Sequence, residues 1–529
     1  MIILKLERKN KMPLFRQIFQ QLKRLIENNT LKPGFRMPST RTLAEKHGIN
    51  RSTVYKAYEE LWALGYMESR PGSYSVVRKR QKIATPEQKS KQGLIQWETI
   101  SSDVGLTLHH AYQELKSRLP LIKETFDAAG KPDVINFASL DLDPRLFPIE
   151  DFRRCLNTVL VEQGGKILRY GEGAGYKPLR EYIARRLRVH GISANPDEIV
   201  ITNGCQNAIE LVLKFLTVPG SKVATESPTY TNILPLLKYF KTDIIGIPMK
   251  PDGMDLDYLR EVLSRETQKP AFVYTIPNFH NPTGITTDQA HRERLLALCE
   301  AYEVPLVEDG FEEEMKYYGK VPLPIKSMDR KQVVIYMGTF SKVLFPGIRI
   351  GWIAAENKLI ERLEAIKKFS DLSTNTLLQA ALYEFCEQSH YNRHVKRMHR
   401  EYRKRMHTAL TGLKEHLSGF DRVSWTEPAG GYLIWVKLRD AGIDRETLKQ
   451  VFIRNGVTIM PGTFFYPDST LLSPNTNTSH QYFRLSISTL NENEIREGIL
   501  RLAKAISKIY SHEGHEGARR EEEKKIRSY

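Results

Sequence analysis

The chain has 529 residues, with 79 Lys and Arg against 62 Asp and Glu and a formal net charge of +17. That length calls for at least two domains, and 41% hydrophobic residues can fill a large core, which excludes a wholly disordered chain. No apolar run approaches the roughly 18 residues that span a bilayer, and the N-terminal apolar stretch is too short for a signal peptide, so a soluble cytoplasmic protein with no membrane partner is expected.

The charge is uneven. Residues 1 to 92 hold 20 Lys and Arg against 7 Asp and Glu, a net of +13, which leaves +4 for the other 437 residues. A basic N-terminal piece on a nearly neutral remainder reads as a polyanion-binding module. Leu14, Ile18, Phe19, Leu22, Leu25 and Ile26 recur at helical spacing behind Pro13. A second helix is expected from Ser39, its cap, to Gly48, which ends it, and a third follows Asn50 as cap and finishes near Gly65. Tyr66–Ser69 and Tyr74–Val77 flank an Arg-Pro-Gly-Ser turn as a hairpin. Three helices and a hairpin make a winged helix-turn-helix, in which the second helix of the pair enters the major groove. Arg51, Ser52 and Thr53 fall in the first turn of that recognition helix, Ser39, Thr40 and Arg41 open the helix before it, and Arg70 sits at the wing tip. These seven are the expected contacts to a double-stranded DNA operator. The pattern P-S-x-R-x-L-A-x-x-x-G-I-x-R-x-T-V-x-x-A-x-x-x-L-x-x-x-G resembles the GntR family of bacterial regulators.

Domain boundaries are expected at 1–78 for the DNA module, 79–108 for a flexible basic and polar linker, 109–510 for a second domain and 511–529 for a charged tail. From about residue 130, β-branched runs alternate with helical patterns: Glu198–Thr202, Lys222–Glu226, Ile244–Pro248, Ala271–Pro277, Val304–Asp309, Val333–Thr339 and Ile348–Ala354. This predicts an α/β lobe with a mainly parallel central sheet, roughly 130–370. A long helix near Arg393–Leu417 and strands at Gly431–Leu438 and Tyr482–Ser488 predict a smaller α+β C-terminal lobe, roughly 371–510. Ligands of open α/β sheets sit at the carboxyl ends of the strands. There the sequence places Thr202-Asn203-Gly204-Cys205, a Gly turn whose helix amides suit a phosphate, then Tyr230, Asn281, Asp309, and finally Thr339-Phe340-Ser341-Lys342 with Arg349 beyond. The four cysteines are widely spaced without a C-x-x-C, so no metal and no disulfide framework is expected.

In this order at these strand ends, the set resembles fold type I pyridoxal-phosphate enzymes of the aspartate aminotransferase group. The resemblance implies that Lys342 forms the Schiff base with pyridoxal 5′-phosphate, the catalytic attachment. It implies that Asp309 pairs with the pyridinium nitrogen, Asn281 donates to the phenolate oxygen, and Tyr230 stacks on the ring. Gly204, Cys205, Thr339, Ser341 and Arg349 hold the phosphate, Tyr170 reaches a neighbouring subunit's cofactor, and Arg484 clamps an effector carboxylate. One position departs from the pattern: shortly after the cofactor Asp such enzymes usually place a Tyr whose hydroxyl bonds the cofactor, and here the nearest aromatic is Phe311, which puts efficient turnover in doubt.

Together the two parts resemble the MocR/GabR family of bacterial transcription regulators. That resemblance implies a head-to-tail homodimer and a small amino-acid or amine effector sensed through an external aldimine. The alternatives are an active aminotransferase carrying a DNA module and a regulator that senses pyridoxal phosphate itself.

Overall fold

The computed structural model describes residues 2–8, 12–70, 74–78, 133–311, 314–318, 322–439, 445–467 and 481–526. The expected linker at 79–108, the wing-tip turn and the side chain of Arg70 lie outside the described residues. The chain divides into two compact units, Met1–Ile100 and Ser101–Tyr529.

The first unit is a three-helix body with a hairpin. Helix α1 (Leu14–Glu27) buries Ile18, Leu22 and Ile26, one face at four-residue spacing. Helix α2 (Thr40–His47) starts at Ser39, whose hydroxyl accepts from the Thr42 amide at 3.0 Å, and stops at Gly48, in the left-handed region at φ 58°. Helix α3 (Arg51–Ala63) follows. Asn50 holds its cap position, but its side chain makes no cap; the first turn closes instead through the Thr53 amide on the Asn50 carbonyl at 3.0 Å. Strands β1 (Met67–Arg70) and β2 (Tyr74–Val77) pair antiparallel, Met67 opposite Val77. Ile2 and Leu4 close the core formed by Ile18, Leu22, Leu43, Val54 and Leu61.

In the second unit, β3 (Ile135–Asn136) leads to α4 (Ile149–Gln163) and α5 (Lys177–Val189). The large sheet comprises β4 (Ile199–Thr202), β5 (Lys222–Ser227), β6 (Asp243–Lys250), β7 (Gly253–Met254), β8 (Phe272–Thr275), β9 (Leu306–Asp309), β10 (Val334–Thr339) and β11 (Gly351–Ala354), in the order β4-β11-β10-β9-β8-β5-β6-β7. Neighbours from β10 through β6 are parallel, whereas β11 runs antiparallel to both β10 and β4 and β7 turns back on β6. The helices are α6 (Cys205–Leu216), α7 (Ile233–Tyr239), α8 (Leu256–Ser264), α9 (Gln289–Ala301), α10 (Ile325–Met328), α11 (Asn357–Asp371), α12 (Thr376–Glu387), α13 (His390–Leu417), α14 (Arg445–Arg454) and α15 (Glu492–Ile526).

Successive strand residues serve opposite faces. Val223, Phe272, Val307 and Ile335 pack with α6, α7 and α11, while Ala224, Val273, Leu306 and Val334 pack with α8 and α9. Both faces are therefore covered, as a parallel sheet requires. The smaller sheet joins β12 (Val423–Trp425), β13 (Leu433–Leu438), β16 (Tyr482–Ser486) and β15 (Met460–Pro461), all antiparallel. Strand β14 (Val457–Thr458) pairs with β3 rather than with this sheet, so the segment before α4 is tied to the C-terminal lobe. The segment expected as a tail from residue 511 is helical in its backbone as far as Ile526, a continuation of α15.

Candidate functional site

On the first unit, Arg51 and Ser52 at the start of α3 are exposed and Thr53 is half-buried. Arg51 donates through Nε to the Thr40 hydroxyl at 3.3 Å, which links the first turns of α2 and α3. Arg41 is exposed and paired with Glu45 at 3.0 Å, an exposed i,i+4 pair of ~0.5 kcal/mol that an incoming phosphate can replace at little cost. Ser39 is engaged as the α2 cap. Sequence reasoning missed Arg36, which bridges its backbone to Val76 and lays its guanidinium 4.4 Å from the Tyr74 ring centre, beside the wing.

In the second unit, the carboxyl ends of the central strands open on a cavity of about 370 Å³. Cys205, Tyr230, Asn281, Asp309, Thr339, Ser341, Lys342 and Arg349 line it, so eight of the expected residues come together. Asp309, 3% exposed at the end of β9, accepts from Tyr274 Oη at 2.6 Å and from Cys205 Sγ at 3.3 Å. Burial pushes its pKa up to about 6, against those two hydrogen bonds, which lower it. Burial and the Asp309 carboxylate in turn push the Cys205 thiol up, so it stays protonated as a donor. Lys342 Nζ donates to the Leu140 carbonyl at 3.0 Å.

Beside Asp309, α6 begins at Cys205, and its first amides have no intrahelical partner. Gly204 precedes them at φ 82°, ψ 173°, a conformation open only to glycine, and a Cβ there would collide with the Arg349 guanidinium. Gly351 has no room either, since its Cβ would meet the Gly204 backbone and the Gly338 carbonyl at 2.9 Å. Arg349 donates to the Asn203 carbonyl at 3.0 Å and reaches Ser341 Oγ at 3.4 Å. Helix amides, two hydroxyls and a guanidinium make an anion cradle, and the buried Asp309 carboxylate and Tyr230 line the same cavity. This donor set suits a planar aromatic ligand that carries a phosphate at one end and a protonated ring nitrogen at the other.

Arg484, 5% exposed on β16, donates to Asn281 Oδ1 at 3.0 Å and to the Ala138 carbonyl at 2.9 Å, with its guanidinium 5.1 Å from the Phe465 ring centre. It therefore ties the small sheet to the loop after β8. Tyr170 is not brought to the cavity: it is 83% exposed and lines a shallow cleft with Leu168, Arg169 and Asn375. Phe311 borders the cavity with no hydroxyl to offer, and its main-chain amide helps hold Asp309. Among the described residues no group of three or more His, Cys, Asp and Glu could hold a metal ion, and no helix is long and apolar enough to cross a membrane.

Several supporting residues gave no sequence signal. Tyr274 reads as an ordinary strand aromatic. Glu226, 1% exposed, accepts from Thr275 Oγ1 at 2.6 Å and from the Ile276 amide, and lies 3.3 Å from His280 Nε2. Arg292 is wholly buried and donates to Thr287, Asn278 and the Pro277 carbonyl, bracing the loop that carries Asn281. Tyr432 Oη donates to the Lys342 carbonyl at 2.6 Å, and His394 Nε2 lies 2.7 Å from the next carbonyl, that of Val343. Burial lowers the His394 pKa to about 4, so its ring is neutral and donates that hydrogen bond.

Comparison with known proteins agrees with both halves. Residues 132–502 match the family "Aminotransferase class I and II", and residues 14–77 match "Bacterial regulatory proteins, gntR family". The uncharacterized HTH-type transcriptional regulator YdfD of Bacillus subtilis is 30% identical over 95% of this chain and 98% of its own. Aromatic-amino-acid aminotransferase 1 of Thermococcus litoralis is 36% identical over 73% of this chain and 91% of its own. Among solved structures, the α-aminoadipate aminotransferase LysN of Thermus thermophilus, complexed with N-(5′-phosphopyridoxyl)-L-leucine, superposes with a TM-score of 0.69 at 28% identity, over 79% of this chain and all of its own.

Proposed function

The chain belongs to the aminotransferase class I and II family and carries a gntR-family DNA-binding domain ahead of it, as helix-turn-helix regulators of the MocR type do, and from that premise we propose that it is a transcription regulator switched by an amino-acid-like effector. Its cofactor is pyridoxal 5′-phosphate, as in the family. When bound, the cofactor supplies an aldehyde carbon that can exchange one amine for another and a ring that withdraws electrons. The residues present fit it: Gly204 and Gly351 lack the Cβ atoms that would push Arg349 and the Gly204 backbone out of the anion cradle, and Asp309 offers a buried carboxylate to a cationic ring nitrogen.

The observation that carries the reading is the joining, in one chain, of exposed Arg41 and Arg51 on a winged helix with a cavity holding Lys342, Asp309 and Arg349. Lys342 is the attachment point, Asp309 keeps the ring nitrogen protonated, and Arg349 with Ser341, Thr339 and the α6 amides holds the phosphate. Arg484 receives the effector carboxylate. Two of its present acceptors, Asn281 and the Ala138 carbonyl, are neutral, and an ionised carboxylate offers stronger, bidentate bonds than either. Because Arg484 sits on the small sheet and Asn281 on the loop after β8, this exchange changes what ties the two lobes together. The exposed Tyr170 and the cleft around it suit a second subunit, in keeping with a head-to-tail homodimer whose neighbouring chain completes each site. Phe311, lacking the hydroxyl, favours sensing over turnover.

A switch of this kind needs the effector to favour one arrangement; a hundredfold preference corresponds to about 3 kcal/mol. The test is a pair of titrations of cofactor-loaded protein with amino acids, amines lacking a carboxylate and carboxylates lacking an amine, one reading cofactor absorbance and one reading DNA affinity. The same amino acids should move both. Absorbance changes that never alter DNA affinity would overturn the regulatory reading, and cofactor-free protein that already responds like the loaded form would remove the cofactor from it.

A further inference from the structure

The second unit carries a charge concentration of its own. Residues 93–529 have a net charge of only +4, yet α13 alone holds 8 Lys and Arg against 2 Glu, a net of +6, so the rest of that stretch is slightly acidic. The helix buries Tyr391, His394, Val395, Met398, Tyr402, Arg405 and Met406 against the lobe. Its opposite face exposes Arg393, Lys396, Arg397, Arg400, Arg403 and Lys404. At 1.5 Å per residue these six cations form a ridge of about 17 Å.

Elsewhere this chain dresses its helices with opposite charges one turn apart: Glu150 with Arg153 and Arg154, Glu210 with Lys214, Glu497 with Arg501. On α13 most one-turn neighbours are like charges, Arg393 with Arg397, Lys396 with Arg400, and Arg400 with both Arg403 and Lys404, with Glu401 the lone acid among them, an arrangement that costs a helix stability. Among the described residues, the one ion pair on this face joins Lys404 to Glu401 at 3.8 Å, and none involves Lys396, Arg397, Arg400 or Arg403. A solvated face gains nothing from such self-repulsion, whereas a surface that meets a polyanion recovers it on binding.

We propose that the exposed face of α13 is a second, sequence-independent DNA contact, which grips backbone phosphates in addition to those held by the winged helix. Arginine predominates in it, the side chain best matched to phosphate oxygens. Duplex DNA is the polyanion the chain is built to bring near, so the inference rests on the N-terminal unit being a DNA reader. Phosphate contacts of this kind position DNA and raise affinity without adding base specificity.

The test uses the full-length, cofactor-loaded protein and a random-sequence duplex of about five helical turns, with affinity measured across a salt series. Each phosphate contact contributes about 0.9 to the slope of log affinity against log salt. Replacing Arg397, Arg400 and Arg403 together by Ser is expected to reduce that slope by about 2 to 3 and the affinity at 0.1 M salt on the order of a hundredfold, with the cofactor absorbance unchanged. The charge-retaining variant, with Lys at all three positions, should bind as the parent does. Should the triple Ser variant lose the cofactor band, the single substitutions R397S, R400S and R403S replace it, each expected to reduce the slope by about 1. An unchanged slope in a cofactor-retaining variant overturns the proposal. Arg51→Ala, run alongside, separates the premise from the inference: if it too leaves DNA binding untouched, the reading of the N-terminal unit fails, whereas loss there with no effect on α13 refutes the second contact alone.

Discussion

Asp309→Asn tests the electrostatics of the cavity. In the cofactor-free protein the Asp309 carboxyl is 3% exposed, and burial raises its pKa from 3.8 to about 6 even though Tyr274 and Cys205 donate to it. The folded chain therefore holds a proton that the unfolded chain releases between about pH 4 and pH 6. The stability this group contributes is fully present below pH 4 and is lost as pH rises through 6. At about 1.4 kcal/mol per pH unit, the rise from 3.8 to about 6 amounts to about 3 kcal/mol. Asparagine cannot ionise, so the variant should gain about 3 kcal/mol relative to the parent between pH 4 and pH 7, whatever constant offset its amide adds. Urea unfolding of both cofactor-free proteins at unit steps across that range measures the difference, in which titrating groups remote from Asp309 cancel. A difference that is flat with pH would refute the argument. With cofactor bound, the proposed pairing of Asp309 with a cationic ring nitrogen reverses the sign, because it needs the ionised carboxylate. Breaking that buried pair costs about 3–5 kcal/mol, so the variant should bind cofactor at least a hundredfold more weakly.

Arg484→Lys should leave the cofactor band intact but weaken carboxylate-bearing effectors by about 10- to 100-fold, with plain amines unaffected, as read by absorbance titration; equal losses for both classes would remove Arg484 from carboxylate recognition. Gly204→Ala forces a side chain into φ 82° at a cost of about 1–3 kcal/mol and displaces Arg349, so cofactor affinity should fall while DNA binding to the winged helix persists. Ser39→Ala removes the α2 cap and should destabilise the first unit by about 1 kcal/mol, visible in calorimetry as a lower midpoint for that unit, with the cofactor-binding unit unchanged.

The parts of the site that were legible in the sequence are those at strand ends or in the loops that follow them. Parallel strands bring their carboxyl ends to one edge, so Gly204, Asn281, Asp309 and Lys342 are gathered by topology alone, and their order along the chain was sufficient to place them. What escaped depends on pairing between elements. The run at Ile348–Ala354 carries no mark of direction; only the eleven residues between β10 and β11, too few for a crossover helix, require the antiparallel turn that sets Gly351 against Gly204. Tyr274 reaches Asp309 from the adjacent strand across 35 positions, and β3 meets β14 across more than 300, distances over which single-sequence patterns are silent. Asn50 and Ser39 are equally good cap residues by type, and only the local backbone decides that one caps and the other does not. The same distinction separates the two basic regions. The N-terminal excess was visible as a sum over residues, but the α13 ridge emerges only when helical phase sorts Arg405 into the core and Arg400, Arg403 and Lys404 onto the surface. Charge totals locate a reader, and the faces of its helices say where the polyanion can lie.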